Sequence, residues 1–211
     1  MQGLLTTLQI AVLGLLVGMI IGSLLAIFKL LPSENWFSKS LKVFTDIYVA
    51  LFRGTPMVVQ LLLVHFVVFP AMGINMPSTI EGILAFGLNS GAYVCEIMRG
   101  GILSIDKGQM EAGRAVGLSY GKTMLKVVIP QAIKNVIPTL GNEFIALIKE
   151  TSVVSFIAIV DVTKAFETIA ASSYEYVVPY IMLALTYLIL VLVITLLIKI
   201  LERRLRAGDK R

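Results

Sequence analysis

The chain has 211 residues, of which 57% are hydrophobic and 15% charged, with a mean hydropathy of +0.90 and a net charge of +5. A soluble domain carries about 45–50% apolar and about 25% charged residues, so a soluble enzyme or nucleic-acid-binding domain is excluded and an all-α membrane protein is expected. The positive charge calls for no nucleic-acid partner, because the basic residues fall where membrane topology would put them.

Stretches long enough to cross a hydrocarbon core, which takes about 20 helical residues, run near 4–28, 57–73, 79–98 and 177–201. A fifth, near 131–160, is interrupted by Glu143, Lys149 and Glu150. The first segment has no basic leader and exceeds the roughly 7–15 apolar residues of a signal-peptide core, so it reads as a retained span. Within it Gly14, Gly18 and Gly22 form a small-residue stripe that permits close helix approach and suits packing around a neighbouring subunit.

The connection 29–53 holds Lys29, Lys39, Lys42 and Arg53, and 99–134 holds Arg99, Lys107, Arg114, Lys122, Lys126 and Lys134. The tail adds Lys199, Arg203, Arg204, Arg206, Lys210 and Arg211, which brings the three regions to sixteen of the eighteen basic residues. Five crossings put these regions on one face, which the positive charge marks as cytoplasmic, with the N-terminus outside and the C-terminus inside. Attraction to anionic lipid head groups follows as a by-product. Cys95 is the only cysteine, so no intrachain disulfide is possible and it reads as a small buried hydrophobe. Internal repeats, a second domain and a catalytic nucleophile with a supporting base are not apparent.

In the longest basic connection, GLSYGKT (117–123) superficially resembles a phosphate-binding loop. Such a loop needs four residues between its glycines and a strand before it. Here there are three, and the preceding GQMEAGRAV is polar and helix-like. Glu111, Ala112, Ala115 and Val116 instead fit a short amphipathic helix that Gly117 would end. A second short helix over 120–128 would lead to Pro130, which suits the first turn of a span. A short helix exposing alanine, valine and leucine fits a groove in another protein; an amphipathic segment lying on lipid is the plainer alternative.

Glu111-Ala112, then Gly117, then Val127-x-Ile129-Pro130 resembles the EAA motif of ABC-importer permeases. Gly113 stands where alanine is usual, and Val127 and Ile129 replace isoleucine and leucine. FRGTPMVVQ (52–60), GAYVCEIMRGGILSI (91–105) and IALIKETSVVS (145–155) resemble segments of polar-amino-acid permease subunits, so the resemblance spans nearly the whole chain. It implies a type I ABC-importer permease fold: one transmembrane domain over 1–211 with about five transmembrane helices, and a short cytoplasmic coupling helix in a loop near 106–129. It further implies a bacterial inner-membrane location and a second permease subunit, as a homodimer. Two separate ATPase subunits would bind ATP and Mg, and an extracytoplasmic solute-binding protein would deliver an amino acid. Glu111, Ala112 and Gly117 would lie at the ATPase contact, and this chain, which would bind no cofactor itself, would be no enzyme.

Ionisable residues within a span are costly and read as functional by default. Asn89, Tyr93 and Glu96 share one helix face. Asn142 and Glu143 lie mid-way along the 131–160 segment, Gln60 early in 57–73, and Asp161 just after 131–160. Glu96, Glu143 and Asp161 facing a common path, with amide neighbours, would suit a cationic amino acid. Glu96 could instead pair with Arg99 one turn on, and Asp161 could cap a helix with Thr163 and Lys164 nearby, whereas Glu143 has no basic residue three or four positions away on its helix. His65, without a second ligand in register, is poor evidence for a metal site and reads as a hydrogen-bonded packing residue. Met57, after Thr55-Pro56, is a gate candidate. An ion- or proton-coupled secondary carrier using Glu96, Glu143 and His65 is the competing reading, although five crossings do not divide into the inverted repeats common in such carriers.

Overall fold

The computed structural model describes residues 1–31 and 35–207, and these form helices and turns with no strand among them. The first helix, α1 (Gln2–Leu30), and the last, α10 (Val177–Ala207), are each apolar enough along at least 18 residues to cross a membrane. Between them lie α2 (Trp36–Gly54) and α3 (Met57–Leu63), which runs through a π-helical turn (Val64–Val68) into α4 (Phe69–Ala71). Next come α5 (Ser78–Leu103), α6 (Lys107–Ala115), α7 (Tyr120–Thr123) and a second π-helical turn (Met124–Val128). That turn continues into α8 (Ile129–Glu150), which contains Pro138, followed by a tight 3-10 turn (Thr151–Ile157) and α9 (Val162–Ser173).

The glycine stripe of α1 is used within the chain, not against a neighbouring subunit. Gly14 faces Phe86, Gly18 faces Ser90 and Gly22 faces Val94, so α1 and α5 run parallel at backbone-to-backbone range. A Cβ added at Gly18 would lie 2.7 Å from that of Ser90, and one at Gly22 2.6 Å from that of Val94. α5 reciprocates with Gly87 against Val17 and Gly91 against Ile21. Without a hydrophobic drive between helices in lipid, such interdigitation supplies the dispersion contacts that hold two spans together. The main core builds on this pair from Ile10, Leu61, Phe86, Leu147, Ile148 and Val154. A smaller core nearer Lys29 contains Leu25, Val49, Ala92 and the buried Cys95.

The segment 29–53 reads as a loop in the sequence, yet residues 36–54 form α2. Val43, Phe44, Ile47 and Leu51 recur at helical spacing on its exposed face, while Thr45 and Val49 are buried. α2 and the α3–α4 run pass as a membrane span only together, bent by 107°. Arg53 is thereby carried from the basic face to the middle of the bundle, since Phe52 meets Asn89 and Tyr48 reaches Leu88 on α5. The proposed fifth span ends as a helix at Glu150, and α9 follows as a separate short helix. Lys210 and Arg211 lie outside the described residues.

Candidate functional site

The break after α2 positions the site. Proline pushes the preceding residue out of the helical region, and Thr55 is extended at φ −123° and ψ 146°, so α2 stops there with orphan carbonyls. Gln60 satisfies them: its Nε2 donates to the carbonyls of Phe52 (2.8 Å) and Thr55 (2.9 Å) and lies 2.8 Å from the Thr55 hydroxyl. Its Oε1 accepts from Asn89 Nδ2 at 2.9 Å. Both amides are buried. Gln60 and Asn89, expected to face substrate, are buried and brace the bend in this chain, their amides completing hydrogen bonds that the broken helix leaves open.

The brace leaves Arg53 exposed in a cavity of about 520 Å³, whose walls include Tyr93 and Glu96 of α5 and Asn135 and Thr139 of α8. The Arg53 guanidinium stands 5.2 Å from the centre of the Tyr93 ring, in cation–π range. Asn135, Thr139 and Asn142 are exposed and share one face of α8 through their spacing of four and three. Glu143 follows one turn beyond Thr139 and accepts a hydrogen bond of 3.1 Å from Ser90 on α5, one turn before Tyr93.

The three carboxylates expected to act together are not assembled in this chain. Glu96 lines the cavity but is engaged by Lys29 at 2.6 Å and Arg99 at 2.7 Å, and Lys29 also holds Asp46 at 2.9 Å. Asp161 is fully buried at the start of α9, where its Oδ1 accepts from the Lys164 amide at 2.7 Å. The neighbouring Val162 amide donates to Thr7, near the opposite end of α1 from Lys29. Met57 is buried in the main core beside Leu61 rather than at a mouth, and His65 pairs with Glu81. Among the described residues no group of three His, Cys, Asp or Glu is placed to hold a metal ion. Arg53 and Ser90 were missed as site residues; the helical spacing of residues 36–54 was the available signal for Arg53, and nothing in the sequence marks Ser90.

The basic connection folds as its glycines require. Asp106 caps α6 by accepting from the Gly108 amide at 2.6 Å. At the other end Leu118 N–H bonds the Gly113 carbonyl and Gly117 N–H the Arg114 carbonyl, with Gly117 at φ +86°, the paired closure that favours glycine. Glu111, Ala112, Val116 and Gly117 are exposed, while Gly113 is buried. The departure at Gly113 has a steric reason, since the Cβ of an alanine there would strike Thr123.

Residues 5–207 match the family described as the binding-protein-dependent transport system inner membrane component. The chain belongs to this family. It is therefore an integral inner-membrane component, in keeping with its apolar spans. Among its relatives, a protein named as the glutamine transport system permease GlnP of Rickettsia bellii is 39% identical over 204 residues, 97% of this chain and 91% of the relative. The arginine transport system permease ArtQ of Bacillus subtilis is 39% identical over 211 residues, 99% and 93% of the two chains. A chain of the crystal structure of an amino acid ABC transporter with histidines superposes with a TM-score of 0.88 at 39% identity, covering 96% of this component and 92% of that chain.

Proposed function

We propose that this inner membrane component is the permease subunit of an ATP-driven importer of polar amino acids. Two copies would form the path, two ATPase subunits would dock on their exposed α6 helices, and a solute-binding protein would deliver substrate at the end opposite the basic tail. On this reading the Lys29 end, where basic residues remain, would face the cytoplasm and the N-terminus the outside.

The observation that carries the reading is a cation and a carboxylate set against adjacent turns of α5, Arg53 over Tyr93 and Glu143 hydrogen-bonded to Ser90. An amino acid is a zwitterion whatever its side chain. Glu143 suits the α-ammonium and Arg53 the α-carboxylate, where a guanidinium can make two parallel hydrogen bonds. Asn135, Thr139 and Asn142 then offer donors and acceptors to a polar side chain. Glutamine and arginine, for which two relatives are named, carry the same α-ammonium and α-carboxylate. Such a pair favours polar amino acids in general over cationic ones alone, because Glu96 and Asp161 are otherwise engaged.

The test is calorimetric binding of glutamine, arginine, histidine and glutamate to the permease purified with its ATPase. Native protein is compared with Glu143→Gln and Arg53→Gln. Binding that falls in both variants supports the site. Binding that is unchanged in both contradicts it.

A further inference from the structure

We infer that two side-chain amides on one face of α8, Gln131 and Asn135, are positioning residues that tie the motion of α6 to the wall of the cavity. The inference rests on the reading that α6 docks on an ATPase.

Along the covalent chain, α6 reaches α8 only through the turn at 116–119, the four-residue α7 and the π-helical turn Met124–Val128. Gly117 and Gly121 lie on this route, each with open space where a Cβ would stand. A π turn is an interruption of the regular ladder, and a glycine in the left-handed region adds a point of easy rotation. Gly113 of α6 packs on Thr123 of α7, so a displacement of α6 reaches α8 on this route only through Thr123 and the π turn.

The side chains provide a shorter one. Gln131 Nε2 donates to Gln109 Oε1 on α6 at 3.1 Å and to the Val127 carbonyl at 2.9 Å, so the amide that holds α6 is itself pinned to the π turn. One turn further along α8, Asn135 Nδ2 donates to the Ser104 hydroxyl at 2.9 Å, and that hydroxyl donates to the Gly101 carbonyl at 2.8 Å. Ser104 lies two residues before the Asp106 cap, so α6 is held at its hinge by one bond and along its length by the other. Asn135, Ser104 and Gly101 all line the cavity, with Arg53 and Tyr93. The same face of α8 continues through Thr139 and Asn142 towards Glu143. A movement of α6 thus changes the separation of α5 and α8 at the point where the cavity is lined by both.

The experiment uses the full complex with its ATPase in proteoliposomes, measuring amino acid moved per ATP hydrolysed. Gln131→Leu and Gln109→Ala act at solvent-accessible positions, and assembled complex is quantified first. Gln131→Leu is expected to retain basal ATP hydrolysis, and both variants are expected to lower the transport-to-hydrolysis ratio by about fivefold, the effect of one hydrogen bond on an equilibrium. Gln109→Glu with Gln131→Lys, which replaces the link by an ion pair, is expected to restore the ratio. Unchanged ratios in the single variants, or no restoration in the pair, would overturn the inference. If native protein binds no ATPase, the underlying reading fails, and that result is distinguishable because it precedes any variant.

Discussion

Ser90 on α5 donates its hydroxyl to Glu143 on α8 at 3.1 Å, and the β-carbon of the same serine is the surface on which Gly18 of α1 rests. Gly18 lies twelve residues before the end of α1 at Leu30, or about 18 Å at 1.5 Å per residue. The carboxylate is thus held near mid-depth by a helix pair that cannot spread without losing its interlock. Ser90→Ala keeps the β-carbon and removes the hydroxyl, so α1–α5 packing should survive. Amino-acid affinity should change by about fivefold, for the loss of one hydrogen bond worth about 1 kcal/mol. Calorimetry on the purified complex checks this, with an unchanged melting temperature as the control.

Gln60→Glu is a nearly isosteric change with a large expected effect. A carboxylate donates nothing when ionised, so it would repel the Phe52 and Thr55 carbonyls that Gln60 now satisfies. Leaving a part-buried acceptor unmet costs about 1 kcal/mol, the lower end of the range for buried groups. Thermal unfolding in detergent should show the loss, and Gln60→Glu should be more harmful than Gln60→Met. Equal stability of the two would show that the amide does not hold the bend.

Gly22→Ala tests the interlock directly. The added carbon would meet Val94 at 2.6 Å and the Gly91 carbonyl at 2.7 Å, and a backbone atom cannot turn away. Overpacking of this kind costs about 1–3 kcal/mol. Gly54→Ala, where nothing lies within 4 Å, is the comparison and should be near neutral in the same melting experiment.

The ion-pair group around Glu96 should show a gradient of importance set by exposure. The Asp46 side chain is 64% exposed against 18% for Glu96 and 15% for Lys29. Asp46→Asn should therefore cost about 0–1 kcal/mol, as exposed pairs do. Glu96→Gln should cost more, because it leaves Lys29 and Arg99 in a sheltered position without their shared carboxylate. Urea or thermal denaturation of the purified protein ranks the two, and the reverse order would contradict the argument.

How much of this was legible in the sequence depended on whether a residue's environment is local. α1 and α10 each contain an apolar run of at least 18 residues, so composition alone identifies them. α2 was read as a loop because Lys39, Lys42, Asp46 and Arg53 lower its hydropathy, although its spacing of valine, phenylalanine and isoleucine is helical. Gly117 was legible because a helix cap is decided within a few residues, and Asp161 likewise carried its alternative of capping α9. The partners of Glu96 were only half legible. Arg99 lies three residues away and was weighed, whereas Lys29 comes from 67 positions away and is brought in by the α1–α5 interlock. The same tertiary packing supplies Ser90 to Glu143, and the broken helix supplies Arg53. The first does not follow from the order of residues, and the second was signalled only by the helical spacing of 36–54.

The measurement that tests the account most directly is uptake of labelled glutamine and arginine by proteoliposomes holding the permease, its ATPase and a loaded solute-binding protein. ATP and Mg are supplied on the ATPase side, and an imposed proton or sodium gradient is the comparison. The account predicts uptake that requires ATP and is lost with Glu143→Gln. Gradient-driven uptake by the chain alone, with no ATPase present, would contradict it and make the protein a secondary carrier.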